Sequence, residues 1–493
     1  MGAHVMMLSS LGHGHLIPFM QLAKKLVARG LTISFVTTFH HIPSLRSKAE
    51  AAREAGLDIH LLEMEIPHDH LTLGKVNSNS VQWHKLPPLL DADERLEPHF
   101  DRFLGRFLAR EISPLPAPLC LIADFLLGWA SAVAKKYGVP RVSFETSGCF
   151  AESVHQIVWE ILPRNLPRTA SGLYLVPGLP REVRLTRLQL LPELPEATPE
   201  NGTHQYWLRV RPANRQSWRT IVNTFYELEG EFVDHYESVN GTLRTIGPLL
   251  PPEAFEYRDV QCKKIAPAVE LGISTDGDKC MQWLDAQAEE CVLYISFGSE
   301  NSISTAQVEE LALGLEASGV KFVWVLRTPS DAAQNSLTSP LDFLPVGLHG
   351  RMAAKDQGFF VLGWAPQLGI LAHPATGGFI SHCGWNAVLE STAMGVPLIA
   401  WPLYAEQHFN SKLVVDEIGV AVEAPQRIEQ DWLVTRDDVK RIVRTLMIKE
   451  KGKELRKRMK ELKAAAKTAV GEGGSSYKNF DLFVSEIMAL PKA

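Results

Sequence analysis

The segment GFISHCGWNAVLESTAMGVPLIAW, residues 378–401, carries the clearest fold signal in the chain. A short apolar run from Gly378 to Ser381 is followed by a polar turn, by helical periodicity from Ala387 to Met394, and by a second apolar run from Pro397 to Trp401. This order predicts a strand, a crossover helix and a second strand. A βαβ unit of this kind requires a parallel sheet with covered faces.

The same alternation extends outward over most of the chain. In the first half, a helix predicted from Leu16 to Ala28 joins two strands, and a second helix runs from Trp129 to Lys136. The other predicted strands are Val5 to Ser9, Leu31 to Thr38, Leu119 to Ala123, Val139 to Phe144, Thr220 to Thr224, Cys291 to Ser296, Lys321 to Leu326 and Gly358 to Leu362.

The pattern lapses between about Pro248 and Gly277, where prolines and polar residues show no sustained periodicity. We therefore predict an α/β protein with two Rossmann-like domains, at residues 1–247 and 278–470, joined by a linker at 248–277. In such folds ligands bind at the carboxyl ends of the strands, so the expected site is the cleft between the domains.

Composition excludes several classes of protein. Lys and Arg total 50 against 56 Asp and Glu, and the net charge of −6 argues against a nucleic-acid partner. A mean hydropathy of −0.04, without an unbroken apolar stretch of about 18 residues, argues against a membrane span. The six cysteines form no Cys-x-x-Cys pair and the N-terminus lacks the basic region of a secretory signal, so we expect a cytoplasmic protein with reduced thiols.

The turn Gly12-His13-Gly14-His15 only partly fits a dinucleotide fingerprint, because Ile17 replaces the third glycine and the next strand ends in Thr37 and Thr38 instead of an acid. What remains is His15, a candidate general base in the first helical turn. Asp124, directly after a predicted strand, could orient the imidazole if the two strands are neighbours. A helix-capping or exposed histidine and an N-cap aspartate are the alternatives.

A third group surrounds the quoted segment. The helix start after His382 offers N–H groups and a dipole suited to a diphosphate, and Gly384 permits close approach. His382 and Asn386 add side-chain donors, and Ser299 follows the strand before them. Trp364 offers a flat face for a base, and Glu390, one turn beyond Asn386, suits a vicinal diol.

The stretch from Trp364 to Gln407 resembles the nucleotide-sugar-binding signature of plant family 1 UDP-dependent glycosyltransferases, almost position for position. Further landmarks of that family occur in the expected order along nearly the whole chain. They are Gly14-His15-Leu-Ile-Pro18, Asp124, Ile221-Val-Asn-Thr-Phe225, Ile246-Gly-Pro-Leu-Leu250, Trp283-Leu-Asp285, Ser296-Phe-Gly-Ser299 and Gly473-Gly-Ser-Ser476.

The resemblance implies a GT-B architecture, with two Rossmann-like domains of mostly parallel sheets facing across a cleft. It also implies that the C-terminal helix, within 471–493, returns to the N-terminal domain. The N-terminal domain would bind the acceptor and the C-terminal domain the UDP-sugar. The implied reaction is a single displacement with inversion, without a metal or other cofactor, and we expect a monomer.

Residue roles follow from the resemblance by motif position. His15 would be the general base and Asp124 its partner. In the donor site, Trp364 would stack on uracil and the Ala365 main chain would pair with its edge. The remaining donor-site residues are Gln367 and Glu390 for the ribose, Ser299, His382 and Asn386 for the phosphates, Trp385, Glu406 and Gln407 for the sugar, and Thr146 for its 6-hydroxyl.

One position departs from the family pattern, since Ala387 stands where a serine usually follows the Trp-Asn pair. The loss of a hydroxyl donor to the α-phosphate would cost about 1–2 kcal/mol in donor binding. The sugar is expected to be glucose, because the signature ends in Gln407. Galactose, xylose and rhamnose remain alternatives.

The acceptor pocket is expected in the variable segments Glu65 to Leu90, Phe144 to Ile161 and Leu175 to Pro199. Its candidate wall residues suggest an apolar acceptor with a hydroxyl, such as a flavonoid, another phenolic or a terpenoid, although core packing explains them equally well. They are Trp83, Phe150, His155 and Trp159. The alternative functions are a non-catalytic nucleotide-sugar-binding protein and a UDP-sugar epimerase on the same scaffold.

Overall fold

The computed structural model describes residues 3–38, 56–66, 86–190, 194–255, 275–299, 301–332, 338–426 and 433–491. They fall into two compact units. The first unit comprises Met1–Arg184, Glu193–Leu250 and Thr468–Ala493, and the second comprises Leu185–Pro192 and Pro251–Lys467. The division at Leu250 and Pro251 lies within three residues of the N-terminal boundary expected from the sequence, and residues 185–192 were not expected in the second unit.

The first unit contains a parallel sheet in the order β3-β2-β1-β4-β5-β8-β9. Its strands are β1 (His4–Leu8), β2 (Thr32–Thr37), β3 (Ile59–Glu63), β4 (Cys120–Asp124), β5 (Arg141–Glu145), β8 (Arg219–Val222) and β9 (Leu243–Thr245). A separate pair is formed by β6 (Tyr174–Val176) and β7 (Val183–Leu185).

Helices cover both faces of this sheet. They are α1 (His13–Val27), α2 (Leu86–Glu94), α3 (Glu97–Leu108), α4 (Ala130–Lys136), α5 (Cys149–Ile161), α6 (Gly202–Arg215) and α7 (Tyr226–Asn240). Successive residues of a strand point to opposite faces, so Val5 and Met7 of β1 join one core cluster while Met6 and Leu8 join the other. Both faces are therefore buried, as a parallel sheet requires.

The second unit contains a parallel sheet in the order β12-β11-β10-β13-β14-β15. The strands are β10 (Val292–Ser296), β11 (Lys321–Leu326), β12 (Gly358–Leu362), β13 (Thr376–Ser381), β14 (Leu398–Ala400) and β15 (Ala421–Glu423). The helices are α8 (Thr275–Asp285), α9 (Thr305–Ser318), α10 (Leu348–Ala354), α11 (Gln367–Ala372), α12 (Trp385–Met394), α13 (Gln407–Lys412), α14 (Arg436–Met447) and α15 (Glu450–Val470).

The last helix, α16 (Ser475–Met488), packs into the first unit. Phe480, Phe483 and Ile487 lie in the core cluster that also contains residues of β1 and α1. Glu486 pairs with Arg219 and Arg244 at 3.1 and 3.0 Å. Each fully buried Phe or Ile side chain contributes about 1.5–3 kcal/mol, so this helix is a structural part of the unit.

The structure also contains elements that the sequence patterns did not reveal. Strand β3 lies at the edge of its sheet beside β2, and most of its residues are only half-buried. Because an edge strand of this kind needs few apolar residues, its sequence shows no clear strand pattern. The short strands β9 and β15 are at the other edges. Helix α8 begins at Thr275, inside the segment expected to be linker.

Candidate active site

The first unit brings His15 and Asp124 together because β1 and β4 are neighbours in the sheet. Leu8 pairs with Ala123, so both strands end at the same edge. Helix α1 begins directly after Gly12 and places His15 in its first turn, while Asp124 is the last residue of β4. His15 Nδ1 lies 2.8 Å from Asp124 Oδ2, across a sequence separation of 109 residues.

The contacts of His15 determine which ring nitrogen carries the proton. A carboxylate oxygen only accepts hydrogen bonds, so the contact with Asp124 places the proton on Nδ1 and leaves Nε2 as the basic nitrogen. Thr146 Oγ1 lies 3.0 Å from the same Nδ1. The Phe125 ring stacks on the imidazole at 5.8 Å. The arrangement is a base with its orienting carboxylate.

The turn that follows Asp124 is held by side chains from two other elements. Arg141, on β5, donates to the main-chain carbonyls of Asp124 and Leu127 at 3.1 and 3.3 Å. Asn214 and Tyr206, both on α6, donate to the carbonyls of residues 125 and 126 at 2.8 and 2.6 Å. Four consecutive carbonyls thus have side-chain donors. Asp124 itself is fully buried and accepts from the main chain of residue 126, which fixes its carboxylate before any ligand binds.

A second buried carboxyl group, that of Asp93 on α2, lies near this pair, and the sequence patterns gave no sign of it. Its charge interacts with those of Asp124 and His15. No spacing rule links residue 93 to either of them. The only available signal was an acidic residue at an otherwise apolar helical position.

The structure places three candidate acceptor-wall residues in the interior of the first unit. Phe150 is fully buried and packs edge-on against Phe232 at 4.8 Å. Trp159 exposes 1% of its surface, and its carbonyl oxygen accepts from His204. His155 accepts from Arg211 at 2.8 Å, and burial holds its pKa well below the usual range. These contacts favour core packing over a role in lining a pocket, and Trp83 lies outside the described residues.

In the second unit, the predicted donor-site residues follow neighbouring strands. Ser296 of β10 pairs with Ser381 of β13, so Ser299 and His382 both follow strands that end at the same edge. The His382 ring fits between two glycines. A Cβ atom on Gly298 would lie 2.7 Å from this ring and one on Gly384 would lie 2.5 Å from its Nε2. Gly384 therefore makes room for the His382 ring. The sequence had suggested a different reason for this glycine, the close approach of a ligand.

Two turns at this edge contain non-glycine residues in the left-handed region, Cys383 with φ 62° and Ala405 with φ 51°. Cys383 stands between His382 and Gly384, and its carbonyl oxygen accepts from Asn410 at 3.0 Å. Such backbone conformations cost about 1–3 kcal/mol each and are concentrated at functional sites. Both precede predicted donor-site residues, which supports the placement of the site here.

A cation, Arg327, lies at the predicted phosphate cradle, and the sequence interpretation did not include it. Arg327 follows β11, the neighbour of β10, and its Nη1 donates to the Ser299 carbonyl at 2.7 Å. Burial lowers the pKa of His382 to about 4, and the positive charge of Arg327 acts in the same direction. His382 is therefore a neutral imidazole at neutral pH. Helix α12 starts next to it, at Trp385, with no side-chain cap among the described residues.

The predicted base and ribose residues occupy one short stretch. Trp364 exposes 37% of its surface, enough for a flat ligand to stack on it. The main-chain oxygen of Ala365 accepts from Gln367 N at 2.8 Å, which forms the turn into α11. Gln367 Nε2 donates to Glu390 at 2.6 Å, and Tyr294 donates to Gln367 Oε1 at 3.1 Å. The two predicted ribose ligands are therefore in direct contact.

The residues predicted to bind the sugar differ in how far their side chains are buried or already hydrogen-bonded within the protein. Gln407 is buried, and its Oε1 accepts from the main-chain N–H groups of Leu403 and Tyr404 at 3.0 and 3.2 Å. This leaves its Nε2 as the donor for a ligand. Glu406 is half-exposed at the start of α13. Trp385 exposes only 3% of its surface, while the neighbouring phosphate candidate Asn386 is half-buried.

Neither a metal-binding cluster nor a membrane-spanning helix occurs in the described ranges. Within them, no group of three or more His, Cys, Asp or Glu side chains is arranged to hold a metal ion. No helix in the described part of the chain is long and apolar enough to cross a bilayer.

The family model for UDP-glucoronosyl and UDP-glucosyl transferases matches residues 252–462. Over 508 aligned residues, the chain is 35% identical to UDP-glycosyltransferase 73C3 of Arabidopsis thaliana, covering 99% of this chain and 96% of that protein. It is 34% identical to anthocyanin 3′-O-beta-glucosyltransferase of Gentiana triflora, with 99% of both chains covered.

Among solved structures, Glycyrrhiza uralensis UGT73P12, complexed with glycyrrhetinic acid 3-O-monoglucuronide, aligns with a TM-score of 0.83 at 28% identity, over 99% of this chain and 96% of that one. The chain therefore belongs to the UDP-glycosyltransferase family. It is a UDP-glycosyltransferase of the GT-B fold, which confirms the fold class and the enzyme class expected from the sequence.

Proposed function

We propose that this enzyme transfers glucose from UDP-glucose to a hydroxyl group of a small apolar acceptor and forms a β-O-glycoside. The observation that carries the proposal is the contact of 2.8 Å between His15 Nδ1 and the buried carboxylate of Asp124. A protein that only bound nucleotide sugars would need neither a base nor a group to orient it. The acceptor would be a flavonoid, another phenolic or a terpenoid.

In the proposed reaction, Nε2 of His15 takes the proton of the acceptor hydroxyl as the oxygen attacks the anomeric carbon of the sugar. The bond from that carbon to the UDP oxygen breaks, and UDP leaves with the electron pair. Asp124 stabilises the imidazolium that forms. A single displacement inverts the configuration, so an α-linked donor gives a β-glycoside.

The diphosphate would be bound where Ser299, His382 and Asn386 adjoin the start of α12. We add Arg327 to this group, since it donates to the Ser299 carbonyl and supplies a positive charge. A guanidinium group gives charge-assisted hydrogen bonds to phosphate that neutral donors do not. The negative charge gained by UDP as it leaves would be stabilised in this way.

Uracil would stack on the exposed face of Trp364, with its edge paired to the Ala365 main chain. The ribose hydroxyls would donate to Glu390, whose orientation is fixed by the contact with Gln367 at 2.6 Å. Gln407 would offer Nε2 to the sugar because its oxygen is committed to the main chain. Trp385 and Glu406 would complete the sugar subsite.

Thr146 can contribute to both halves of the reaction. Its Oγ1 lies 3.0 Å from His15 Nδ1, whose single proton it shares with Asp124, and its own hydroxyl proton then remains for a ligand. The proposed partner of that proton is the sugar 6-hydroxyl. The nearby Phe125 ring offers an apolar surface beside the base, which suits an apolar acceptor.

The choice of glucose and of acceptor class rests on the relatives and on Gln407. The Gentiana protein is by name an anthocyanin glucosyltransferase, and the Glycyrrhiza structure holds a glycyrrhetinic acid derivative. We further propose that the reaction needs no metal, and that the enzyme is a cytoplasmic monomer. Free cysteines at 120, 149, 280, 291 and 383 fit a reducing compartment.

The test is to incubate the purified protein with UDP-glucose, UDP-galactose and UDP-xylose against a panel of phenols, flavonoids and terpenoid alcohols, and to determine the anomeric configuration of any product by NMR. A β-glucoside formed from UDP-glucose supports the proposal. UDP binding without any glycoside indicates a nucleotide-sugar-binding protein, and an epimerised UDP-sugar indicates an epimerase.

A further inference from the structure

Asp93 connects the two turns that carry the proposed base and its partner. Ser10, shortly after β1 and before the turn into α1, donates its hydroxyl to Asp93 Oδ2 at 2.6 Å. Trp129, which follows the Asp124 turn and precedes α4, donates its indole N–H to the Asp93 carbonyl at 2.9 Å. One residue of α2 thus contacts the segment before His15 and the segment after Asp124.

Asp93 is also an ionisable group in the interior, where it exposes none of its surface. Burial raises the pKa of its carboxyl to about 7, and the charge of Asp124 acts in the same direction. The Ser10 hydrogen bond, the charge of His15 and the main chain of Leu11 lower the pKa. Its carboxyl therefore changes charge in the neutral pH range, unlike an exposed aspartate.

Helix α6 also places an ionisable group, the phenol of Tyr206, where its charge would interact with that of Asp93. Tyr206 of α6 is buried, and the charges of Asp93 and Asp124 help to raise the pKa of its phenol well above the usual value. Tyr206 is therefore neutral at physiological pH. The exposed pair formed by Glu94 and Arg209 lies on the outer side of the same two helices. Near Asp124, Glu145 of β5 is a further buried carboxyl group, and burial followed by the charge of Glu152 raises its pKa well above the usual value.

We propose that Asp93 is a positioning residue of the catalytic pair, which holds the turns of His15 and Asp124 together and adds a second negative charge beside the imidazole. This inference rests on the proposed function, in which His15 is the base. Asp93 acts through His15 and does not need to contact the substrate.

The expected effect follows from the reciprocity of charge interactions. The positive charge of protonated His15 favours ionised Asp93, so ionised Asp93 must favour protonated His15 by the same free energy. A stronger base accepts the acceptor proton more readily, and the imidazolium formed in the transition state is stabilised. Activity should therefore depend on the ionisation of Asp93 as well as on that of the base.

The decisive variant is Asp93→Asn, because asparagine has the same shape and can still accept the Ser10 hydrogen bond but carries no charge. The measurements are kcat and kcat/KM between pH 5 and 9 and the affinity for UDP. We expect kcat to fall about three- to tenfold at pH 7 and the acid limb of kcat/KM to move about one unit to lower pH. UDP affinity should not change. Asp101→Asn, which removes a partly exposed carboxylate paired with Lys136, is the matched control and should leave all three unchanged.

Ser10→Ala gives an independent test. This variant removes the hydrogen bond that favours ionised Asp93, so its kcat should be low at pH 7 and recover at pH 9, where Asp93 ionises regardless. Asp93→Asn should not recover at pH 9. If circular dichroism shows that Asp93→Asn does not fold, the test rests on Ser10→Ala alone. A kcat of Ser10→Ala that does not recover between pH 7 and pH 9 then overturns the proposal.

An unchanged pH profile in folded Asp93→Asn, or an equal shift in Asp101→Asn, would also overturn the role of Asp93. A wild-type protein inactive with every donor would instead overturn the proposed function. In that case, NMR titration of His15 in wild type and Asp93→Asn still tests the charge interaction, because the His15 transition should move to lower pH in the variant.

Discussion

Gln367 donates its side-chain amide to Glu390 over 2.6 Å, and this contact joins the start of α11 to the middle of α12. Because Tyr294 donates to the other end of the same amide, the orientation of Gln367 is fixed. Burial nevertheless raises the pKa of Glu390 to about 7, and the Gln367 hydrogen bond only partly offsets it. Glu390 is thus an acid with a preformed hydrogen bond and an unusually weak tendency to ionise.

This balance predicts a pH dependence of UDP binding. Ribose hydroxyls donate to the ionised carboxylate, so binding favours the charged form and releases a proton. Affinity should be lost as pH falls below about 7 and should level off above it. Isothermal titration calorimetry in buffers of different ionisation enthalpy would measure the released proton. Glu390→Gln should abolish this release; an unchanged release in that variant would contradict the assignment.

The proposed base predicts a separation of chemistry from donor binding. His15→Ala should lower kcat by ~10²–10⁴-fold, because the acceptor proton then has no positioned base. Asp124→Asn should also lower kcat strongly, since an amide can hold the opposite tautomer of His15. The Kd for UDP should stay within twofold in both. Turnover at the wild-type rate in His15→Ala would remove this histidine from the mechanism.

Arg327 predicts a dependence on phosphate charge. Arg327→Gln should weaken UDP binding by about 10–100-fold, the equivalent of losing hydrogen bonds to a charged group, and should leave the much weaker binding of uridine almost unchanged. Calorimetry or competition assays with both ligands would show the difference. Arg351→Gln, which breaks an exposed pair with Glu316, is the control. Equal losses for UDP and uridine would indicate a structural effect of Arg327 instead.

Ala387 predicts a gain of function. The residue is buried in the first turn of α12, beside the predicted phosphate cradle. Ala387→Ser adds one small hydroxyl donor and should tighten UDP binding by up to about tenfold, or about 1 kcal/mol. Ala393→Ser, on the same helix but in its last turn, should give no gain. A higher Kd for UDP in Ala387→Ser would mean that the site has no room for the hydroxyl.

The buried face of α16 predicts that removing one of its apolar side chains strongly destabilises the protein. Phe483→Ala removes a fully buried ring and should lower the free energy of unfolding by about 3–5 kcal/mol. The neighbouring Leu482→Ala changes a side chain that is 46% exposed and should cost less than about 0.5 kcal/mol. Urea denaturation followed by tryptophan fluorescence would compare the two variants. Similar values would show that α16 contributes little to the core.

The alternation of the central strands with helices, and the family, could be read from the sequence, because a parallel sheet buried on both faces gives continuous apolar runs with helical periodicity between them. The contact of His15 with Asp124 could also be anticipated, since both residues follow strand patterns and the ends of neighbouring parallel strands meet at one edge. What the pattern could not give was the sheet order that makes β1 and β4 neighbours.

Asp93 and Arg327 could not be predicted for a related reason. Each acts through space on a residue far away in the chain, and one acidic or basic side chain near the end of an element does not by itself predict such an interaction. Burial changes the chemistry of Asp93, and it depends on the elements that pack against this residue in the folded chain. Phe150, His155 and Trp159 were uncertain for a similar reason, because an aromatic ring suits a pocket wall and a core equally well.

The placement of α16 has a consequence for synthesis. The first unit is the first to leave the ribosome, yet Phe480, Phe483 and Ile487 of its core follow Leu250 by more than 200 residues. At about 5–20 residues per second, the apolar surface that this helix covers stays open for on the order of 10–45 s after residue 250 has been made. The N-terminal unit is therefore the first of the two to be translated and the last to complete its core, and its exposed apolar surface is prone to aggregation through that interval.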